Sequence, residues 1–420
     1  MDEYFPIYLT CLDAVLSVGS LIFFLTDVVL DVLAVIKLYE EQKFFSMGLL
    51  ILLLLGSSAL IQIFSWLWYS DPNRNVETKA ESFVRRHGLL NLVHICQLGV
   101  FLRFAGVMEN TIRSYNQRDR FQKGVTVFLN HELSMLRLFE AFFENAPQLV
   151  LMIALTVKMQ KIQFFTVAKI VGSLSSLSLS VLSYHRYMRA FLVDKSKMRW
   201  PSSVMYFLWN LFLIGPRVMG VSLFASGLPC YVAAHFLSLW TLLVFWAWWQ
   251  KTDFMDSRAG EWLYRATVGL IWYFSWFNVA SGSTKLNGMI YHVVIGVDTM
   301  LLLGLWWWWR TVESARLNPL PMNPFLLVAV LVIIYITGIL LKLLYYWKFH
   351  PNKPDLQIGA AEKDENSETE PQPPQRTAAC IGMEHTDPCK PPAPPHKPAT
   401  GRNLTGIQKR MKMMAENFYN

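Results

Sequence analysis

Charge is scarce in this chain. Of 420 residues only 16% are Asp, Glu, Lys or Arg, and 53% are hydrophobic, with a mean hydropathy of +0.30. Soluble domains usually carry about 25% charged residues, so the balance points to lipid. Cysteine is scarce as well. Cys11, Cys96, Cys230, Cys380 and Cys389 are scattered and make no C-x-x-C pair, so neither a disulfide framework nor a zinc site is indicated. There is no G-x-x-x-x-G-K-[ST], no H-E-x-x-H and no G-x-S-x-G, and the histidines are dispersed. Nothing therefore resembles an enzyme site, and no cofactor or metal is expected. A cleavable signal is not expected either. Asp2 and Glu3 stand where a signal sequence wants positive charge, and the first apolar run is too long and carries acids.

What the chain does have is long apolar runs. A helix needs about 20 apolar residues to cross a bilayer. Ten hydrophobic segments can be drawn, at about 5–37, 44–69, 88–107, 134–157, 162–192, 202–227, 230–250, 263–282, 289–309 and 323–347. A soluble protein could bury one such helix, but hardly ten in series. The expected class is an all-α polytopic membrane protein. Aromatic clusters near segment ends (Trp66-Leu67-Trp68-Tyr69, Trp246-Ala247-Trp248-Trp249, Trp306–Trp309, Tyr345-Tyr346-Trp347) read as interfacial belts.

Not every segment need cross. Segment 134–157 opens with Arg137, Glu140 and Glu144 and contains Pro147, the pattern of a half-helix that enters the membrane and turns. Segment 263–282 starts with Arg265 and ends in Gly and Ser, so it is also a weak spanner. Between segments, 108–132 reads as an exposed helix or loop. Links 71–87 and 108–132 each hold four Lys or Arg, and both cannot be cytosolic if 88–107 crosses once. Charge alone leaves the topology tied. The net charge of +8 suits anionic lipid surfaces or ordinary positive-inside bias. Residues 351–403 are polar and proline-dense and are expected to be disordered. In 404–420, Ile407, Met411, Met414 and Phe418 recur at helical spacing around Lys409, Arg410 and Lys412, which predicts a short basic amphipathic helix.

The candidate functional residues are charges inside the apolar runs. Asp13, Asp27 and Asp31 share one face of the first segment, Asp31 five turns beyond Asp13 and Asp27 offset by about 40°. That stripe extends about 27 Å. Arg137, Glu140, Glu144 and Gln148 fall within about 60° of one another on a regular helix. Arg103, Lys169, Arg186, Arg217 and Asp298 are further intramembrane charges, with His94, His185, His235 and His292 as polar company. Each charge facing lipid costs about 2.5–3.5 kcal/mol on insertion scales. Six or more would approach roughly 20 kcal/mol, more than a domain's usual net stability. They must face one another or line water. Two readings stay open: internal salt bridges, for example Asp27 or Asp31 with Arg103 or Arg217, or a polar track for a lipid headgroup. The small residues of Gly172–Ser183 suggest close helix packing rather than a solvated lining. Pro216 before Arg217 could expose carbonyls or only kink the helix.

Several longer motifs resemble one family. Ser134-Met135-Leu136-Arg137-Leu138-Phe139-Glu140 with Ala146-Pro147-Gln148-Leu149, Tyr184-His185-Arg186, Tyr206-Phe207-Leu208-Trp209-Asn210, Pro216-Arg217-Val218, Thr252-Asp253-Phe254-Met255, Glu261-Trp262-Leu263-Tyr264-Arg265 and Tyr273-Phe274-Ser275-Trp276-Phe277-Asn278-Val279 look like the signature of the XK-related family, over nearly all of 1–350. The resemblance implies about eight transmembrane helices plus two re-entrant half-helices in two related halves, here about 1–193 and 202–350. It implies a calcium-independent phospholipid scramblase of the plasma membrane, with cytosolic termini, that exposes phosphatidylserine during apoptosis. A single-span immunoglobulin-family partner of basigin or neuroplastin type is implied, as is a tail that restrains activity until a caspase removes it. Asp13, Asp27, Asp31, Arg103, Arg137, Glu140, Glu144, Arg186, Arg217 and Asp298 match the family's polar path. The tail departs from the pattern. Where a D-x-x-D-G cleavage site is expected, Asp355-Leu356-Gln357-Ile358-Gly359 has isoleucine, Asp364 precedes Glu365, and Asp387 precedes Pro388. Phosphorylation of Ser367 or Thr369, or another protease site, are alternatives.

The leading expectation is energy-independent lipid scrambling, with headgroups inside the polar track and tails left in lipid. The rivals are a secondary transporter or channel for a small polar solute, which would use the same charges, and a structural subunit whose charges only pair internally.

Overall fold

The computed structural model describes residues 11–70, 78–116, 120–160, 164–190, 198–255, 257–279, 284–313 and 323–349. The tail expectations, with Asp355, Asp364, Asp387, Lys409, Arg410 and Lys412, lie outside the described residues, and so does the side chain of Asp13. Every described element is a helix.

Helix α1 (Cys11–Glu40) has 30 residues and is about 45 Å long. Gln42 takes a left-handed φ of 59° and turns the chain into α2 (Phe44–Tyr69) within three residues. The short amphipathic α3 (Lys79–Arg86) is capped twice. Thr78 Oγ1 accepts from Glu81 N at 3.0 Å, and the Glu109 carboxylate accepts from Lys79 N and Ala80 N.

Segment 88–107 is not one helix. It breaks into α4 (Leu90–Ile95) and α5 (Gly99–Asn116), with Gln97 at φ 60° between them. The break is held by α2: Gln62 donates to Gln97 O and accepts from Gly99 N, both at 3.0 Å. A Cβ at Gly99 would lie 2.4 Å from Gln62 Oε1, so glycine is required for this approach. Non-helical backbone at membrane depth is tolerated only with such shielding.

Two further expectations are corrected. α6 (Arg120–Glu140) continues through a π-helical turn (Ala141–Asn145) into α7 (Ala146–Met159), so 134–157 is part of a full-length helix and not a half-helix. Pro147 falls at the start of α7, where the widened turn absorbs the hydrogen bond that proline cannot donate. Nor is all of 108–132 exposed. Asn110, Thr126, His131 and Glu132 are fully buried, because α6 packs against α5 and α8 (Phe164–Ala190).

The second half holds α9 (Trp200–Gly227), α10 (Pro229–Trp249), α11 (Arg258–Phe274), α12 (Thr284–Val312) and α13 (Pro324–Leu344), the last running on into a π turn (Tyr345–Phe349). Among the described residues, seven helical stretches are long and apolar enough to cross a membrane: Phe44–Tyr69, Val125–Met159, Thr166–Arg189, Trp200–Gly227, Pro229–Trp249, Leu286–Val312 and Pro324–Phe349. Many of their apolar side chains point outward. On α10, Tyr231, Leu237, Leu242, Phe245 and Trp249 are all more than half exposed, which is stable only against lipid. This is a polytopic membrane protein.

Side-chain contacts fix the helix directions. The end of α1, the start of α2 and the end of α7 meet through Leu38, Leu50 and Leu155. The ends of α7, α9 and α12 meet the start of α13 through Val157, Leu223, Leu303 and Leu331. At the opposite end, Trp68 of α2 packs on Phe254 at 6.3 Å, and Tyr206 of α9 on Tyr345 at 5.5 Å. Helix α11 runs inward from that end. It stops alongside α9, where Arg217 Nε donates to Tyr273 O at 2.9 Å.

Helices α9 and α13 cross at Gly338, where a Cβ would sit 3.0 Å from the Phe212 carbonyl carbon. Gly338→Ala is expected to destabilise the protein by about 1–3 kcal/mol, while Gly304→Ala, with open space at its Cβ, is expected to be neutral. Melting temperatures in detergent check the pair.

Candidate functional site

The acid-bearing face of α1 meets α6, α7 and α8 along its length. Near the start of α1, Ser17 Oγ donates to Asn130 Oδ1 at 2.6 Å and meets Tyr187 Oη at 3.1 Å. Deeper, Arg137 pairs with Glu140 and lies 4.9 Å from the Phe24 ring. Asn145 Nδ2 donates to Asp27 Oδ2 at 2.9 Å. One turn on, Asp31 Oδ1 accepts from Gln148 Nε2 at 2.6 Å and from Lys169 Nζ at 2.7 Å. At the far end Lys37 Nζ donates to Thr166 Oγ1 at 3.0 Å. From Ser17 to Lys37 the rise along α1 is about 30 Å, the thickness of the hydrocarbon core.

The π turn sets which way the acids point. Its extra residue shifts the phase between α6 and α7. Glu144 reaches both Ser57 of α2, which donates to it, and the Asp31 carboxyl of α1, which Gln148 also meets. The face predicted for Arg137, Glu140, Glu144 and Gln148 therefore meets α1, with Glu144 bridging to α2 as well.

A cavity of about 220 Å³ opens beside the upper rungs. Ser17, Ser20, Asn130, Ser134, Arg137, Ser176, Ser180, Ser183 and Tyr187 supply its polar lining. This corrects part of the reading of Gly172–Ser183. Ser178 is fully buried in a helix contact, but Ser176, Ser180 and Ser183 line the cavity, and the space over Gly172 is open.

The remaining candidates lie elsewhere. Arg103 pairs with Glu132 at 2.6 Å and also donates to Ser65 Oγ and Ser65 O. Its guanidinium lies 4.2 Å from the Tyr69 ring. Arg217 pairs with Asp298 at 2.5 Å, and His235 meets the other Asp298 oxygen at 3.0 Å. Arg186 donates to Ser203 Oγ and Met198 O, tying α8 to α9. The pairings suggested from sequence, Asp27 or Asp31 with Arg103 or Arg217, are not the ones formed, because each arginine has an acid on its own neighbouring helix. Of the ten candidates the ladder gathers Asp27, Asp31, Arg137, Glu140 and Glu144. Lys169 belongs with them. Ser57, Asn145 and Asn130 were not signalled by sequence, since a neutral polar residue in an apolar helix has no distinguishing spacing.

The profile of XK-related proteins matches residues 15–351. The chain belongs to the XK-related family. It is 41% identical over 345 residues to XK-related protein 8 of Tetraodon nigroviridis, covering 81% of this chain and 83% of that one. The identity is 42% over 346 residues to XK-related protein 8 of Gasterosteus aculeatus (81% and 84% covered) and 37% over 349 residues to that of Pan troglodytes (82% and 86%). The XK-related match takes in every rung of the ladder.

Arg103 and Glu132 form a buried pair whose separation should be costly. Arg103→Met is expected to lose about 3–5 kcal/mol of stability, and adding Glu132→Gln should restore much of it. A double-mutant cycle on thermal unfolding measures the coupling.

Proposed function

We propose that this chain is a phospholipid scramblase of the plasma membrane that moves lipids, phosphatidylserine included, between leaflets without energy input. One observation carries the reading: the polar rungs of α1, α6, α7 and α8 succeed one another over about the full hydrocarbon thickness. A lone structural ion pair would need no such depth. A headgroup could pass from rung to rung while its acyl tails stay in lipid beside the outer faces of α1, where Ile22, Phe23, Val29 and Val32 are exposed. The hydroxyl-lined cavity with Arg137 at its edge suits a zwitterionic or anionic headgroup. No covalent bond changes, so the activity is transport and not enzymatic catalysis. The XK-related membership and the likeness to XK-related protein 8 support the same reading.

In this proposal α1 joins the seven apolar stretches as an eighth crossing, and the re-entrant elements are α4–α5 and α11. The halves, about 1–193 and 202–350, then each read as two crossings, a re-entrant element and two crossings. The tie in the loop charges dissolves when 88–107 does not cross. Among the described residues, Lys79, Arg85, Arg86, Arg113, Arg199, Lys251 and Arg258 fall on one side, against Lys43, Lys158 and Arg310 on the other, which supports a cytosolic placement of the first set and of both termini. Regulation by the tail beyond residue 350, and a single-span immunoglobulin-family subunit of basigin or neuroplastin type, complete the proposal. Caspase control fits this tail poorly, since Ile358 replaces the aspartate that cleavage needs.

Reconstitution tests it. In liposomes with acyl-labelled fluorescent lipid, full-length protein or a 1–354 truncation should let dithionite bleach inner-leaflet label. The truncation should be the faster if the tail restrains activity. Solute flux without bleaching would instead support a transporter. Asp27→Asn, which keeps the shape of a rung and removes its charge, should slow bleaching about ten- to hundredfold.

A further inference from the structure

The second half of the chain buries polar groups that the ladder does not use. A cavity of about 10 Å³ lies between α9, α12, α13 and the end of α11, and Trp209, Arg217, Ser275, Tyr291 and His292 are among the side chains that line it. Arg217 is 1% exposed and Trp209 4%. Arg217 Nε donates to Tyr273 O, and Nη1 donates to Asp298 and Thr299. Nη2 is buried with no hydrogen-bond partner, and so is Trp209 Nε1. The hydroxyls of Ser275 and Tyr291, on the same lining, make no hydrogen bond to the described residues.

The two buried unmet atoms on this lining are both donors, and a donor left unmet in the interior is costly. With the two hydroxyls, the lining holds more N–H and O–H groups than one water can accept. The space is about the size of a single water. A halide is only slightly wider, and it accepts from every side. Negative charge is wanted here as well. Lys342 Nζ meets His292 Nε2 and lies 5.0 Å from the Trp209 ring, and it pairs with no carboxylate among the described residues. Asp298 is shared between Arg217 and His235. A phosphate or a carboxylate is too large for the space, so a lipid headgroup does not fit.

We propose that this cavity binds a chloride ion, held by Arg217 Nη2, Trp209 Nε1 and the hydroxyls of Ser275 and Tyr291. The ion ties the end of α11 to α9 and α12. The site is apart from α1 and stands whether or not the chain moves lipid.

The test uses full-length protein in nanodiscs, its melting temperature followed as chloride replaces gluconate at constant ionic strength. A saturable rise is expected in the wild type, and bromide should reproduce it. Trp209→Phe keeps an aromatic ring and removes the N–H, and Tyr291→Phe removes one hydroxyl. Each should weaken the affinity for chloride about tenfold. Either variant is sufficient, so if one fails to fold the other decides. A flat chloride titration, as for a cavity that holds only water, would overturn the site. A response of equal size in wild type and variant would do the same. So would an equal response to phosphate, which marks a general salt effect.

Discussion

Hydrocarbon does not solvate charge, and this constraint organises the molecule. Every ionisable side chain within the apolar helices has to find a partner on another helix or a route to water. The helix arrangement follows from those obligations as much as from apolar packing, which lipid does little to drive. Asp31 binds α8 to α1 through Lys169, Arg103 binds α5 to α6 through Glu132, and Arg217 binds α9 to α12 through Asp298. Two of these contacts, through Lys169 and through Asp298, join helices that are distant in sequence and could otherwise slide.

The same requirement serves two ends in the two parts of the chain. Arg103 and Arg217 are paired with Glu132 and Asp298, and their guanidinium groups lie against the rings of Tyr69 and Tyr273. These are fixed points. Along α1 the contacts are dispersed, one per turn or so, through amides and hydroxyls as often as ions. Dispersed partners of intermediate polarity can be exchanged for those of a passing headgroup with little net change at each step. A single deep ion pair would hold its occupant instead. The contrast separates framework charges from those on the proposed route.

Much of this was legible beforehand. The 18-residue spacing of Asp13 and Asp31 and the near alignment of Asp27 follow from helix geometry alone, and Asp27 and Asp31 are indeed buried side by side along α1. The long charge-free runs gave the spanning helices almost to the residue, as at Phe44–Tyr69. Other features could not be read. Pro147 suggests a break, yet it falls in the first turn of α7 just after a π turn, where its missing N–H costs the helix little and the chain runs on. Gln97 carries no breaking signal, and the discontinuity there is stabilised by Gln62 from another helix. Partner choice among the charges is likewise a tertiary property. Arg103 had several acids within reach on paper, and only packing decided for Glu132.

The turn at Gln42 has a mechanical consequence. Three residues connect α1 to α2, and hydrogen bonds from Lys43 N to Leu38 O and from Gln42 N to Tyr39 O tie the corner shut. The rod of α1 is therefore anchored at one tip and has no slack there to screw or slip. With that corner closed, the position of α1 along its own axis is set by α2, and so is the height at which Asp27 and Asp31 come level with Asn145 and Gln148.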